Sequence, residues 1–142
     1  MFRVISFTVE DPVNCEIAFS IRNAVFVEEQ KVSREEEYDS HESVARHYLV
    51  FSDTIPAGTA RMRETDKGVK LERFAVLPEF RNKGVGALLL NQVLSDALTF
   101  NRMIYLHAQV AAVNLYARAG FKPEGEIFYE AGIPHYKMVY RP

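Results

Sequence analysis

The chain has 142 residues, of which 48% are hydrophobic and 25% are charged, a balance typical of globular domains. This length fits one domain, so we expect residues 1–142 to form a single folding unit. The formal net charge of −2 provides no general positive field for binding nucleic acid or an acidic membrane surface.

Cysteine content and hydropathy narrow the class of protein further. Cys15 is the single cysteine, so a disulfide within the chain is excluded, and we expect a small buried side chain there. No apolar run reaches the ~20 residues of a membrane-spanning helix. The first residues lack the layout of a signal peptide, and we therefore expect a cytoplasmic protein.

The first third of the chain predicts a strand, a helix and an acidic block. Residues 2–9 are rich in β-branched and aromatic side chains and predict a strand. Asp11-Pro12 is typical of a helix start, and residues 13–27 have apolar side chains at helical spacing. Residues 28–42 are rich in carboxylates. They form either a solvated loop with a short helix or an acidic wall beside a site for a cationic substrate.

The remaining two thirds predict strands mixed with helices. Apolar residues at helical spacing follow Gly84, and a second helix is predicted over residues 110–118. The predicted strands are residues 46–52, 58–64, 69–77 and 103–108, with two more in the tail at roughly 122–140. This order predicts an α/β (α+β) fold, in which helices flank a mixed, mostly antiparallel central sheet.

The strand-to-helix junction at residues 77–86 carries the most informative chemistry. Gly84 and Gly86 stand at the start of an apolar helix, where backbone N–H groups are unpaired and the helix dipole is positive. Arg81 and Lys83 add positive charge, and the combination suits a pyrophosphate. The alternative is a flexible turn with surface cations. Neither a Walker-type loop nor a dinucleotide-binding glycine motif is present.

The same junction resembles the acetyl-CoA motif of the GNAT superfamily of N-acyltransferases, whose core is (R/Q)-x-x-G-x-(G/A). Arg81, Gly84 and Gly86 match it. A second GNAT motif, N-x-x-A-x-x-L-Y followed by Gly-Phe, resembles the segment from Gln109 to Tyr116 and the Gly-Phe pair after it. Gln109 stands where the family has asparagine. The resemblance covers the whole chain and implies the GNAT acyl-CoA N-acyltransferase fold.

The resemblance also implies where acetyl-CoA would bind. The pantetheine arm of a GNAT cofactor lies between two splayed strands, here 69–77 and 103–108. Its backbone contacts would fall on Phe74, Ala75 and Val76, and Gln109 would lie close to it. The pyrophosphate would be held by the N–H groups of residues 82–87, which are Asn82, Lys83, Gly84, Val85, Gly86 and Ala87, beside Arg81.

Two residues are candidates for proton transfer. Tyr116 matches the frequent GNAT general acid, which protonates the departing thiolate; the alternative is a core aromatic. Side chains alternate along a strand, so Glu72 shares a face with Phe74 and could accept the proton of the amine. The alternative is a solvent-facing Glu72 paired with Arg61 or Arg63.

The four histidines have no metal-site spacing, so we expect no metal, and we expect each to be structural. His135 is the histidine to test, because we expect its GIPH turn to border the acceptor pocket.

Three functions stay open at this point. The first is an acetyl-CoA-dependent N-acetyltransferase, an enzyme acting on a small-molecule amine or a protein amine, with no nucleic-acid or membrane partner. The second is a non-catalytic CoA-binding sensor or interaction module, and the third is a site for another anion. The tail strands could also pair between two chains and form a homodimer.

Overall fold

A seven-stranded sheet organises the protein, and the computed structural model describes residues 1–142. The strands are Phe2–Phe7 (β1), Arg46–Ser52 (β2), Ile55–Thr65 (β3), Gly68–Val76 (β4), Ile104–Gln109 (β5), Phe121–Glu130 (β6) and Ile133–Tyr140 (β7). They lie in the order β1-β2-β3-β4-β5-β7-β6. Every neighbouring pair is antiparallel except β4 and β5, which are parallel. The expected mixed, mostly antiparallel sheet is confirmed.

Helices cover both faces of this sheet. The α-helices are Pro12–Arg22 (α1), Arg34–Glu37 (α2), Val85–Leu98 (α3) and Val113–Arg118 (α4). Asp11 caps α1 by accepting a hydrogen bond from the N–H of Asn14 at 3.1 Å. The single helix expected over residues 13–27 is divided, because Asn23–Glu29 forms a wider π-helical segment after α1. No helix combines the length and the apolar character needed to cross a membrane.

Two hydrophobic clusters fix the positions of the helices. The larger cluster packs α3, through residues such as Leu89 and Val93, against the β4 and β5 side chains Leu71 and Leu106. The smaller cluster lies on the opposite face and packs α1 and the π-helical segment against residues such as Leu49 and Ala75. The central strands are therefore buried on both faces, which explains their nearly continuous apolar sequences.

The parallel pair β4–β5 is short, and this creates an opening in the sheet. Its register covers three positions only, from Val69 opposite Ile104 to Leu71 opposite Leu106. Beyond Leu71 the two strands separate. A cleft therefore opens between the C-terminal halves of β4 and β5.

A β-bulge lies at the point where β4 leaves β5. Arg61 pairs with Glu72 and Thr59 pairs with Ala75, so β4 contains one more residue than β3 over this stretch. Arg73 has a φ of 60°, which is unusual for a residue with a side chain. The extra residue breaks the alternation of side chains.

The expectation that Glu72 and Phe74 share a face is therefore wrong. Phe74 packs against the larger cluster and contacts Tyr116, with ring centroids 5.8 Å apart. Glu72 points to the other face, where it meets Arg61.

Candidate active site

The cleft between β4 and β5 is the main concave feature of the molecule. It has a volume of about 550 Å³, which is the size of a ligand site. Apolar side chains make up about half of its lining, and Phe74 and Tyr116 are among them. Its polar lining comprises Gln30, Glu36, Glu37, Lys70, Glu72, Arg73, Arg81, His107, Gln109, Glu130 and His135.

The N-terminus of α3 stands at the end of β4 and provides unpaired donors. The N-cap, Gly84, has a φ of 79°, a left-handed conformation that favours glycine. A Cβ at Gly84 would meet no atom within 4 Å, so the space in front of the helix is open. The N–H of Leu88 bonds to the carbonyl of Gly84, which leaves the N–H groups of Val85, Gly86 and Ala87 without helical partners. The helix start can therefore receive an anion.

Arg81 does not offer a free charge to that anion. Its Nη1 and Nη2 donate to the carboxylate of Glu29 at 2.8 and 2.7 Å, and its Nε donates to the carbonyl of Val76 at 2.9 Å. The positive charge that Arg81 was expected to add at the junction is therefore neutralised by Glu29. Lys83 keeps its exposed position, with its Nζ 5.9 Å from the ring centre of Phe80, and is the basic side chain left for a phosphate.

The backbone that β4 presents to the cleft follows from its pairing with β3. The N–H of Leu77 donates to the carbonyl of Ala57 at 2.9 Å, so Leu77 bonds towards β3. Because the polar backbone groups of an antiparallel strand point to alternate sides, those of Ala75 also face β3 and those of Val76 face the cleft. The expectation that Ala75 offers its backbone to a cofactor is therefore corrected, whereas Val76 and, by the same alternation, Phe74 fit it.

Tyr116 lies in the cleft wall as the sequence suggested, on α4 and 7% exposed. Its ring stands edge-on to Phe74 and Phe121, with centroids 5.8 and 6.3 Å away. Burial raises the pKa of its phenol above the usual value. Tyr116 is therefore a neutral hydrogen-bond donor at physiological pH.

Glu72 also lies in the wall, but basic side chains surround it. Its Oε1 accepts hydrogen bonds from Nη2 of Arg61 at 2.7 Å and from Nε of Arg63 at 2.5 Å. Its Oε2 lies 3.5 Å from Nζ of Lys70. Burial alone would raise the pKa of Glu72, but the neighbouring charges outweigh burial and lower it. The alternative in which Glu72 pairs with Arg61 and Arg63 is the one this structure shows, although the carboxylate is buried and not solvent-facing.

The acidic block is largely consumed by internal ion pairs. Glu37 lies 2.8 Å from Nε of Arg22, and Asp39 pairs with Arg61 at 2.9 Å. With the Glu29–Arg81 pair, these ion pairs engage carboxylates before, within and after α2. These acids serve as counter-ions for arginines, and Glu36 is the carboxylate of the block that lines the cleft without an ion pair.

Comparison with known proteins agrees with this geometry. The family profile described as Acetyltransferase (GNAT) domain matches residues 11–142. The chain belongs to the GNAT acetyltransferase family.

Relatives of this GNAT chain are found in several bacteria. It is 38% identical to a Bacillus subtilis protein named uncharacterized N-acetyltransferase YjcF over 124 residues, which is 86% of this chain and 89% of the relative. The crystal structure of Escherichia coli ElaA is similar with a TM-score of 0.89 and 26% identity, and the likeness covers 100% of both chains. An acyl-CoA N-acyltransferase from Pseudomonas aeruginosa gives a TM-score of 0.87 at 25% identity, again over 100% of both chains.

Gln109, which replaces the asparagine of the GNAT motif, spans the cleft in this structure. Its amide donates to Oε1 of Gln30 at 2.9 Å. Gln30 directly follows the π-helical segment, so the bond joins the end of β5 to the opposite wall. The longer side chain of glutamine provides this reach.

Sequence reasoning missed a histidine–carboxylate pair in the GNAT cleft. Nδ1 of His107 lies 2.5 Å from Oε1 of Glu130, and both residues line the cleft. His135 lines it too, with Nδ1 2.7 Å from the carbonyl of Ile133. The alternation along β5 places His107 and Gln109 on one face, and this pattern was the available signal. The partner Glu130 belongs to β6 and could not be found from spacing.

Proposed function

We propose that this protein transfers the acetyl group of acetyl-CoA to an amine by direct attack of the amine on the thioester. The observation that supports this most strongly is the continuity of the site. Val76 and Tyr116 line the gap between β4 and β5, and Arg81, which lines it too, leads along the chain to the open N-terminus of α3. The acceptor in this proposal is a small-molecule amine or an amine of a protein.

Each part of acetyl-CoA has a counterpart in the site. The N–H groups of Val85, Gly86 and Ala87 would hold the pyrophosphate, with Lys83 supplying charge and Asn82 and Gly84 shaping the turn through positive φ angles of 63° and 79°. The N–H of Val76 would bond to the pantetheine arm as a partner strand would. Because Arg81 already occupies the carbonyl of Val76, its role here is to brace the loop.

Tyr116 is the acid of the proposed reaction. The leaving thiolate has a reference pKa of about 8.5, whereas burial keeps the pKa of the phenol well above that of an ordinary tyrosine. Full transfer of the proton is therefore uphill at the start. A hydrogen bond from the phenol to the sulfur would strengthen as charge develops, and this is the stabilisation that a catalyst must provide.

A CoA-binding sensor without catalysis is the second candidate. The observation that favours it is the environment of Glu72, whose carboxylate is engaged by Arg61, Arg63 and Lys70 and is a poor proton acceptor. If Glu72 were the required base, the protein would bind the cofactor and turn it over slowly.

Two measurements test these candidates in sequence. Thermal unfolding is followed with acetyl-CoA, CoA and ATP in turn, and ATP serves as the control for simple phosphate binding. A ligand at 100 times its Kd adds ~2.7 kcal/mol to the free energy of unfolding. We expect this shift with acetyl-CoA and CoA and a much smaller one with ATP; equal shifts would show that the site is a general anion site.

Release of free thiol from acetyl-CoA is then measured with a panel of amines and with a peptide that has a free N-terminus. Thiol release that depends on the amine supports the enzyme. Cofactor binding without any such release supports the sensor.

A further inference from the structure

The pair His107–Glu130 has the geometry of an oriented base. Glu130 is ionised, since the hydrogen bond from His107 lowers its pKa despite burial, and an ionised carboxylate can only accept hydrogen bonds. The proton of that bond therefore belongs to Nδ1 of His107. In the neutral ring, Nε2 then holds a free lone pair.

The fold places this ring at the cleft and limits its motion. His107 belongs to β5, and its side chain is 27% exposed. The ring of Phe128 stands edge-on to it with centroids 5.0 Å apart, and Tyr105 flanks it at 6.1 Å. Phe128 and Glu130 both project from β6, so one strand supplies both the packing and the carboxylate. Two fixed contacts and a free Nε2 at a ligand-sized cleft are the features of a general base.

We propose that Nε2 of His107 accepts the proton of the amine acceptor, and that Glu130 positions the ring and stabilises the imidazolium that forms. This inference rests on the proposed acetyl transfer. It answers the question left by Glu72, because a base is present in the same cleft and is free of ion pairs with arginine.

The other histidines of the chain fit this role less well. His135 donates from Nδ1 to the neutral carbonyl of Ile133, which orients the ring, but its ring nitrogens form no ion pair with a carboxylate. His47 is 1% exposed, and its Nε2 is bonded to the carbonyl of Glu42. His41 is absent from the cleft wall. His107 alone combines a carboxylate partner with a position in the cleft.

The proposed step conserves atoms and charge. An ammonium acceptor passes one proton to Nε2 of His107, and the resulting amine nitrogen forms a bond to the thioester carbon. As the tetrahedral adduct collapses, the C–S bond breaks and the thiolate takes a proton from Tyr116. The phenolate takes one of the two protons left on nitrogen, which leaves a neutral amide with one N–H. The imidazolium later returns its proton to water.

The first test removes Nε2 and keeps the bond to Glu130. In His107→Asn the side-chain amide can still donate to the carboxylate, but no lone pair remains at the Nε2 position. We expect turnover of acetyl-CoA with the best amine of the panel to fall by about 100-fold or more, while the Kd for CoA stays within about 2-fold. The control is Glu124→Gln, which removes a carboxylate from β6, the strand that carries Glu130. Glu124 lies 3.7 Å from Lys137 and outside the cleft wall. Its turnover should match that of the unchanged protein.

A second variant tests the chemistry of the lost group. His107→Ala leaves room beside an exposed edge of the cleft, and added imidazole should restore part of the turnover. Turnover of His107→Asn within about 3-fold of the original would overturn the inference and leave the acetyl transfer intact. Absence of thiol release from the unchanged protein with every amine would instead overturn the proposed function, and the inference with it.

The role of Glu130 has a spectroscopic test that needs no acceptor. Long-range ¹H–¹⁵N spectra distinguish the two neutral tautomers of a histidine ring. We expect His107 to carry its proton on Nδ1 and to lose this preference in Glu130→Gln, where the amide can donate as well as accept. A neutral His107 protonated on Nε2 in the unchanged protein would refute the assignment.

Discussion

The two glycines of the junction should respond oppositely to the same substitution. Gly84 has a left-handed backbone with a φ of 79°, whereas Gly86 lies within α3 and does not have a positive φ. A Cβ at Gly84 meets no atom within 4 Å, and one at Gly86 meets Cδ2 of Leu115 at 3.6 Å, an ordinary contact. Steric space is thus available at both positions, and only the backbone conformation separates them.

The magnitudes follow from this difference. In Gly84→Ala the left-handed conformation costs about 1–2 kcal/mol, partly offset by the smaller conformational freedom of the unfolded alanine chain. In Gly86→Ala the unfolded chain also loses conformational freedom, but the folded backbone is not strained. The free energy of unfolding should therefore rise by about 0.5–1 kcal/mol. The smaller freedom of the unfolded chain is common to both variants, so they should differ by about 1–2 kcal/mol, or roughly 2–8 °C in Tm for a domain of this size.

The free energies of unfolding of both variants are measured by urea unfolding, monitored by circular dichroism. Equal m-values would show that the unfolded states are comparable. The reasoning is refuted if Gly86→Ala is as destabilising as Gly84→Ala. It is equally refuted if Gly84→Ala stabilises the protein as much as Gly86→Ala does, because the left-handed turn would then not constrain the start of α3.

Three further predictions concern Tyr116, the proposed acid, and the buried or partly buried ions. Tyr116→Phe should lower turnover by 10-fold or more with little change in the Kd for CoA; unchanged turnover in the thiol-release assay would remove Tyr116 from its role. Arg22→Met removes the nearest partner of the buried Glu37, which keeps only Arg73 at 3.3 Å, and should cost about 3 kcal/mol in urea unfolding, whereas Arg102→Met, which loses an exposed partner, should cost under about 1 kcal/mol. Burial opposes ionisation of Asp39, yet hydrogen bonding to Arg61 holds its pKa below the usual range. The stabilisation that ionised Asp39 provides is therefore present above about pH 4 and lost as pH falls. Asp39→Asn should reduce the pH dependence of the free energy of unfolding measured between about pH 4 and 2.

Local patterns were enough to predict the order of strands and helices and the start of α3. Apolar spacing distinguishes β4 from α3, and the glycines between them indicate a turn at a helix start. These features depend on residues close together in the chain. The division of the helix over residues 13–27 was not predictable in the same way, because the π-helical segment keeps the apolar spacing of a helix.

The chemistry of the site depends on contacts that the sequence does not encode locally. His107 and Glu130 are 23 residues apart and meet only through the sheet order in which β7 lies between β5 and β6. The neutralisation of Arg81 by Glu29 joins residues 52 positions apart. The bulge was also hidden, because its positive φ falls on Arg73, where glycine would have been the expected signal.

That bulge makes Arg73 a residue of β4 that could be lost without exchanging the two walls of the cleft. Deleting Arg73 would make Glu72 and Phe74 neighbours on opposite faces, as strict alternation requires, so the other side chains of β4 would keep their faces. Phe74 would stay against Tyr116, and Ala75 would stay in the smaller cluster. The deletion would remove the positive φ of Arg73 and its ion pairs with Glu37 and Asp39, and it would straighten β4 beside the cleft.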